Sequence, residues 1–396
     1  MATTLNPPYT LSDELLQKCL ERAPVYDREN RFFDDDFEDL RASGYLTMPV
    51  PKELGGQGKT LAQVAAEQRR LAYHAAPTAL AVNMHLYWVG LSADLLRAGD
   101  ESCRWILEEC ARGAVFAAGH AETGNDVPLL YSTTRAERVP GGYRFYGRKS
   151  FGSLTPVWNY LGVHGMDTSD PANPRVVHGF MTREAEGYRI VPTWDNVLGM
   201  RATRSDDTIL DGVFVPDERI ARVVPTGFKG IDLFVLGVFA WALMGFGNVY
   251  VGLARRVLDT TLEKLKTKKS VALVGESLTR HPGLQHELAE MWMDLEGAEM
   301  HLERIAEDYS NGVNHGGLWG AKIVTAKHRA VEAAWRVADR ALDVAGGFGI
   351  FPASGLERMV RDMRLGRIHP ANPFLAREIV AKSILGLDLD AQPRWG

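Results

Sequence analysis

Three textures follow one another along this chain. From Ser12 to about Arg112, apolar residues recur at spacings of three and four. Leu11, Leu15, Leu16, Cys19 and Leu20 form one stripe, with Ser12 or Asp13 placed to cap the helix it predicts. A glycine-rich turn after Pro51 leads into a second helix, and His85 lies on or beside a third. From about Ala114 to Ala221, short runs rich in Val, Tyr, Phe and Thr alternate with turn residues. That pattern predicts an antiparallel sheet or small barrel, with Ser169–Pro174 as a surface loop. From about Gly227 helices return. Leu288, Met291, Leu295, Ala298, Leu302 and Ile305 share one face, and a helix over Ala321–Ala345 stops at Gly346 and Gly347. The order predicts an α+β architecture: an N-terminal α-helical domain over 1–117, a middle antiparallel β domain over 118–226, and a C-terminal four-helix-bundle domain over 227–396.

One run departs from these stripes. Leu233–Ala254 carries no charge and is long enough to span a bilayer. Gly237, Gly245, Gly247, Asn248 and Gly252 dilute it, and an amphipathic stretch follows. It is read as a helix buried on all sides, not as a membrane span.

Composition narrows the field. The 396 residues are 45% hydrophobic and 24% charged, an ordinary globular balance, with a net charge of −5 that argues against nucleic acid or an anionic membrane as partner. Cys19, Cys103 and Cys110 form no CxxC pair, which argues against a disulfide scaffold or a thiolate metal site and fits a reducing, cytoplasmic setting. Met1–Thr10 is polar, contains Pro7 and Pro8, and lacks the order of a signal peptide.

Several local motifs appear in sequence. They are Leu40–Gly58 with its Pro-x-Glu-x-Gly-Gly-x-Gly turn, Ala121–Asp126, Gly147–Ser153, Leu198–Asp207 followed by Phe214–Ile220, Asp343–Ile350 and Arg361–Arg364. In this order, over almost the whole chain, they resemble the acyl-CoA dehydrogenase superfamily of flavoproteins. The resemblance implies a homo-dimer or homo-tetramer with one flavin per subunit, FAD or alternatively FMN. No dinucleotide fingerprint is present: the Gly-Gly-Phe-Gly cluster ends a helix instead of joining a strand to one.

Carried over position by position, the resemblance gives a flavin site. Phe151 stands where the family has a tryptophan, and Ser153 where a threonine hydroxyl reaches flavin N5. His120, Ala121 and Asn125 are expected at the pyrimidine end or the phosphates. Gly346, Gly347 and Gly349 would admit the cofactor of a neighbouring subunit. Lys268 stands in for an arginine at the adenosine, and Asn372 takes the slot of another threonine.

The family's catalytic carboxylate is missing. Its slot after Arg361–Asp362 is Pro370, its alternative slot on the long apolar helix is Ala242, and two positions that meet a CoA-bearing substrate are Ala240 and Leu243. No Asp or Glu occurs between Asp232 and Asp259, so a register slip does not restore it. Histidine remains: His369, one residue before the lost carboxylate, and His85 in the N-terminal helices. With Ser153 they resemble the site of the superfamily's oxygenase branch, the group D flavin monooxygenases. A histidine suits proton chemistry near neutral pH. The leading expectation is therefore an oxygen-using flavin-dependent oxidoreductase, a monooxygenase or oxidase acting on a small organic or thioester substrate and served, if a monooxygenase, by a separate flavin reductase. The alternatives are an acyl-CoA dehydrogenase with an atypical base that passes electrons to an electron-transfer flavoprotein, and a non-catalytic flavin-binding relative. Trp88, Trp158, Trp194 and Trp241 are read as core before pocket.

Overall fold

Side-chain caps, glycines and prolines set the ends of the helices in the computed structural model, which describes residues 9–391. The N-terminal reading of Met1–Thr10 falls, up to Pro8, outside the described residues. Helix α1 (Asp13–Glu29) starts at Ser12, whose hydroxyl accepts the Leu15 N–H at 3.2 Å, and ends at Asn30 with φ 48°. Helix α2 (Asp34–Ala42) follows. The two further N-terminal helices expected from the pattern are one, α3 (Leu61–Arg97). Its break survives as a kink: Ala75 sits at φ −145°, ψ 79°, two residues before Pro77, whose ring cannot donate to the helix ladder. Helix α4 (Arg104–Ala111) closes the helical part.

Eight strands form one sheet: β1 (Phe116–Gly119), β2 (Arg135–Val139), β3 (Gly142–Gly152), β4 (Tyr160–Asp167), β5 (Arg175–Thr182), β6 (Tyr188–Val191), β7 (Asp206–Pro216) and β8 (Ile220–Pro225). The order is β6-β7-β3-β2-β4-β5-β8, with β1 beside β4. The expectation of an antiparallel domain needs correction, because β2 meets β4 in parallel at Arg135 and Met166, and β1 runs parallel to β4, Phe116 opposite Tyr160. The forty-odd residues between them, which include β2 and β3, supply the long crossover that parallel pairing requires. The β3–β7 ladder breaks register between Lys149 and Gly152. Within that irregularity Phe151 takes φ 56°, and the bulge turns Phe151 and Ser153 toward the C-terminal helices.

The charge-free run is helix α5 (Leu233–Thr267), and 89% of its most apolar stretch is buried inside the fold. It packs on α3 and on two further long helices, α6 (Pro282–Ser310) and α7 (Trp319–Ala345). Its glycines are crossing points. A Cβ on Gly245 would meet Asn83 Oδ1 at 1.9 Å, and one on the facing Gly90 of α3 would meet the Trp241 ring at 2.4 Å. The residues that diluted the apolar run are those that let two helices touch. Helix α7 ends at Gly346 with φ 63°, as its sequence indicated. Helices α8 (Leu356–Arg364) and α9 (Pro373–Leu385) complete the chain.

Candidate active site

A cavity of about 240 Å³ lies where the sheet meets α3, α5 and the segment leading into α9. Of the expected residues, His120, Ala121, Asn125, Phe151, Ser153, His369 and Asn372 border it. His85, Lys268, Gly346, Gly347 and Gly349 do not.

His85 is enclosed between α3, the turn before it and β1. Its Nε2–H donates to the Leu46 carbonyl at 3.0 Å, and its Nδ1 accepts the Phe116 N–H at 3.1 Å. Burial pushes its pKa down to about 4. Both nitrogens serve backbone groups that would otherwise be unsatisfied, so the structure places His85 as a packing residue outside the cavity. The sequence lacked this information because its partners lie 39 and 31 residues away.

His369 is where the missing-carboxylate argument put it, and Pro370, Ala371 and Ala242 line the same wall. Its ring stacks on Phe246 at 4.5 Å, and Nε2 lies 2.8 Å from the Tyr250 hydroxyl. That hydroxyl is fully buried, and burial holds its pKa well above the usual 10. It has no other partner among the described residues, so it donates to Nε2 and leaves the ring proton on Nδ1. Burial, helped by the Lys327 charge, lowers the His369 pKa to about 3. The ring is therefore held neutral at neutral pH. What faces the cavity is a neutral N–H donor.

A second pair mirrors it. The buried Tyr87 hydroxyl lies 3.2 Å from His120 Nδ1, and His120 Nε2 is buried with no partner among the described residues. Burial, reinforced by His178 and the Lys149 ammonium nearby, holds His120 neutral, its pKa well below 6.5. An unmet buried N–H costs about 1–3 kcal/mol, which an acceptor in the cavity would return.

Ser153 begins a hydroxyl chain. Its Oγ is 2.7 Å from Ser205 Oγ, which is 2.7 Å from Thr203 Oγ1, and Thr203 donates to the Met200 carbonyl at 2.9 Å. Asp362 accepts the Met200 N–H, and Arg361 reaches Asp27 and the Leu198 carbonyl. The Arg-Asp motif thus pins the loop that carries the chain. Thr203 and Ser205 were not expected as site residues, although both lie inside a quoted motif.

Two expected contacts are already engaged. Asn125 Nδ2 donates to the Tyr131 carbonyl at 2.7 Å and to Glu122 at 3.0 Å, and its Oδ1 accepts the Val127 N–H. Asn372 Oδ1 caps α9, accepting from Phe374 and Leu375 at 3.0 and 3.1 Å. Among the described residues the acids on the cavity are Glu122 and Asp126. Glu122 binds Lys149 Nζ at 2.6 Å, Ser132 at 2.7 Å and the Thr133 and Thr134 N–H groups. Burial would raise its pKa, but the Lys149 charge and these bonds outweigh it and hold it near about 2. It is structural and not a base. Of the four tryptophans, Trp194 borders the cavity, while Trp88, Trp158 and Trp241 are core.

Lys268 and the Gly346–Gly349 turn meet at another corner. Lys268 Nζ donates to the Ala345 carbonyl at 3.1 Å and lies over the Phe348 ring.

Residues 11–114 match the model of the acyl-CoA dehydrogenase N-terminal domain, and residues 229–385 that of the C-terminal domain. The chain belongs to the acyl-CoA dehydrogenase family. It is 27% identical over 365 residues to a putative acyl-CoA dehydrogenase, YdbM, of Bacillus subtilis, covering 91% of each chain. Solved structures share its fold. KijD3, in complex with FMN and a dTDP-linked amino keto sugar, superposes at TM-score 0.81 with 23% identity, over 96% of this chain and 93% of the other. Methanesulfinate monooxygenase MsuC from Pseudomonas fluorescens gives 0.79 with 19% identity, over 98% and 100%. As a member of this family the chain is a flavin-dependent oxidoreductase.

The cavity fits a flavin ring. Phe151, Trp194, Met84 and Leu80 offer apolar cover, while the unmet His120 Nε2–H and the Ser153 hydroxyl offer polar contacts.

Neutral imidazoles enclosed in the fold make it acid-sensitive. His85 has its pKa at about 4, and His178 and His369 at about 3, all chiefly through burial. Unfolding returns each to about 6.5, so above pH 7 they leave stability unchanged. As pH falls below about 6.5 the unfolded state takes up protons that the native state refuses, at up to about 1.4 kcal/mol per pH unit for each group. Melting temperature should be flat from about pH 7 to 8 and fall steeply from about pH 6 to 4.5. A flat profile down to pH 5 would show that these rings are solvated.

Proposed function

We propose that this chain is an oxygen-using flavin-dependent enzyme, a monooxygenase or oxidase, acting on a small organic substrate. The observation that carries this reading is the cavity wall at Ala242 and Pro370. Both positions face the cavity, neither is acidic, and Glu122 is committed to Lys149. Without a carboxylate at Ala242 or Pro370, that wall holds no group to take a weakly acidic α-proton from an acyl thioester. Two neutral imidazole donors remain, which suit hydrogen bonding to a developing anion better than proton abstraction. A bound reduced flavin would deliver electrons to oxygen. His369 Nδ1–H and Ser153 would orient the reacting partner, and the apolar wall would exclude water. MsuC, named a monooxygenase, supports the reading by its fold.

The flavin is FAD or FMN, and a separate reductase supplies electrons in the monooxygenase case. The assembly is a homo-dimer or homo-tetramer. Trp292, Met293 and Met300 of α6 are each more than half exposed and suit a subunit contact, and the Lys268–Gly349 corner would then meet a neighbouring subunit's cofactor.

The test is anaerobic titration of flavin-loaded protein with saturated acyl-CoA thioesters, followed by exposure of photoreduced protein to air. The expected result is no bleaching by any thioester and rapid reoxidation by oxygen. Bleaching of the flavin by an acyl-CoA would establish the dehydrogenase, with an electron-transfer flavoprotein as acceptor. Failure to react with either would leave the non-catalytic relative.

A further inference from the structure

Beside the first cavity lies a second, of about 300 Å³, between the start of α7, the inner face of α9 and the loop before β2. The two share Pro128, Phe239, Pro370 and Ala371 in their walls. The partition is fixed from behind. Lys327 of α7 is buried, and its Nζ donates at 3.2 Å to the carbonyls of both His369 and Ala371. It thereby holds Ala371 in a left-handed conformation, φ 54°, that alanine otherwise avoids. The second chamber is walled by side chains such as Trp319, Ile323, Leu375 and Ile379, and Ser383 is its one hydroxyl-bearing side chain among the described residues. Among the described residues no lysine or arginine side chain lines either chamber.

We propose that the second chamber is a substrate subsite that takes the far limb of an uncharged, apolar substrate whose reacting end lies beside His369. This rests on the first cavity being the reaction site, as argued above. An apolar limb gains by leaving water for such walls, in proportion to its area. A nucleotide-bearing thioester does not fit the same chemistry, because its phosphates need cations or clustered N–H donors that these walls lack. The partition sets where the reacting end stops, so chamber length selects substrate length.

The experiment is calorimetric titration of flavin-loaded protein with three probes: phenol, 4-phenylphenol and octanoyl-CoA. Phenol reports the first cavity, and the added ring of 4-phenylphenol reports the second. The expected result is that 4-phenylphenol binds at least about ten-fold more tightly than phenol, and that octanoyl-CoA binds more weakly than 4-phenylphenol. Two substitutions fill the second chamber. Gly320→Leu adds a side chain where a Cβ would meet no atom within 4 Å, and Ser383→Leu fills it from α9. Each should bring 4-phenylphenol to within about three-fold of phenol while leaving phenol unchanged. Equal binding of the two phenols to the unsubstituted protein would overturn the proposal. So would tighter binding of octanoyl-CoA, or an undiminished preference in both variants. These affinities do not depend on turnover, so an oxygen-inert protein that still shows them would refute the proposed reaction and leave the subsite standing.

Discussion

His369→Phe should slow reoxidation of the reduced flavin-loaded protein by dissolved oxygen by about 10²-fold, the usual cost of losing one well-placed donor at a reacting centre. Phenylalanine keeps the ring against Phe246 and removes the Nδ1–H. It also strips the buried Tyr250 hydroxyl of its partner, at about 1–3 kcal/mol of stability. The double variant His369→Phe with Tyr250→Phe should therefore recover melting temperature but not reactivity, which separates the chemical role from the packing role. His369→Asn keeps an amide N–H near the Nδ1 position and should lose less. With the His369 pKa at about 3, the rate should show no imidazole titration from about pH 5 to about pH 9. Full reactivity of His369→Phe would make the residue structural. A rate that falls with an apparent pKa near 6.5 would mean that the ring is hydrated and basic.

The second large effect belongs to the buried ion pair. Lys149→Met should destabilise the protein by about 3–5 kcal/mol, because Glu122 would be left charged and enclosed without its counter-ion. Both side chains are essentially inaccessible, so water does not replace the lost charge. Lys149 itself has its pKa lowered by burial to about 8, with Glu122 opposing the shift. Removing both charges in Lys149→Met with Glu122→Gln should restore a substantial part of the loss. Glu122 also gathers the Thr133 and Thr134 N–H groups and Asn125, so flavin affinity should fall in the single variant through disorder of the 121–134 segment. Thermal melts of flavin-free protein read the first effect and flavin titration the second. A single variant as stable as the double would show that Glu122 left without its counter-ion costs nothing.

Much of the site was legible because its information is local. The motif around Phe151 and Ser153 lies in one strand, and the residues at Pro370 and Ala242 could be counted along the chain. The absence of a carboxylate at those two positions is read from the chain alone, because no acid lies within one helical turn of either. The sequence could not place His85, because a histidine on an apolar helix face looks the same whether it meets a ligand or two backbone groups. Asn125 and Asn372 looked like free polar side chains, yet Asn125 is held by its own loop and the Asn372 Oδ1 by its helix end, a choice decided by turn geometry. Tyr87 and Tyr250 were missed because each sits inside a continuous apolar run, where a tyrosine gives no sign of its hydrogen-bond partner.

The sequence by itself determined the order of helices, sheet and helices, the buried character of α5, the end of α7 at Gly346, and the loss of the acidic base. These follow from periodicity, from residues that dictate local backbone, and from counting. Tertiary structure alone decided that β1 pairs parallel with β4, that α5 and α3 cross at their glycines, and that His369 is a neutral donor instead of a titrating base. Those outcomes depend on which distant groups share a desolvated space: burial sets the protonation of His369, and its partner Tyr250 stands 119 residues away in the chain.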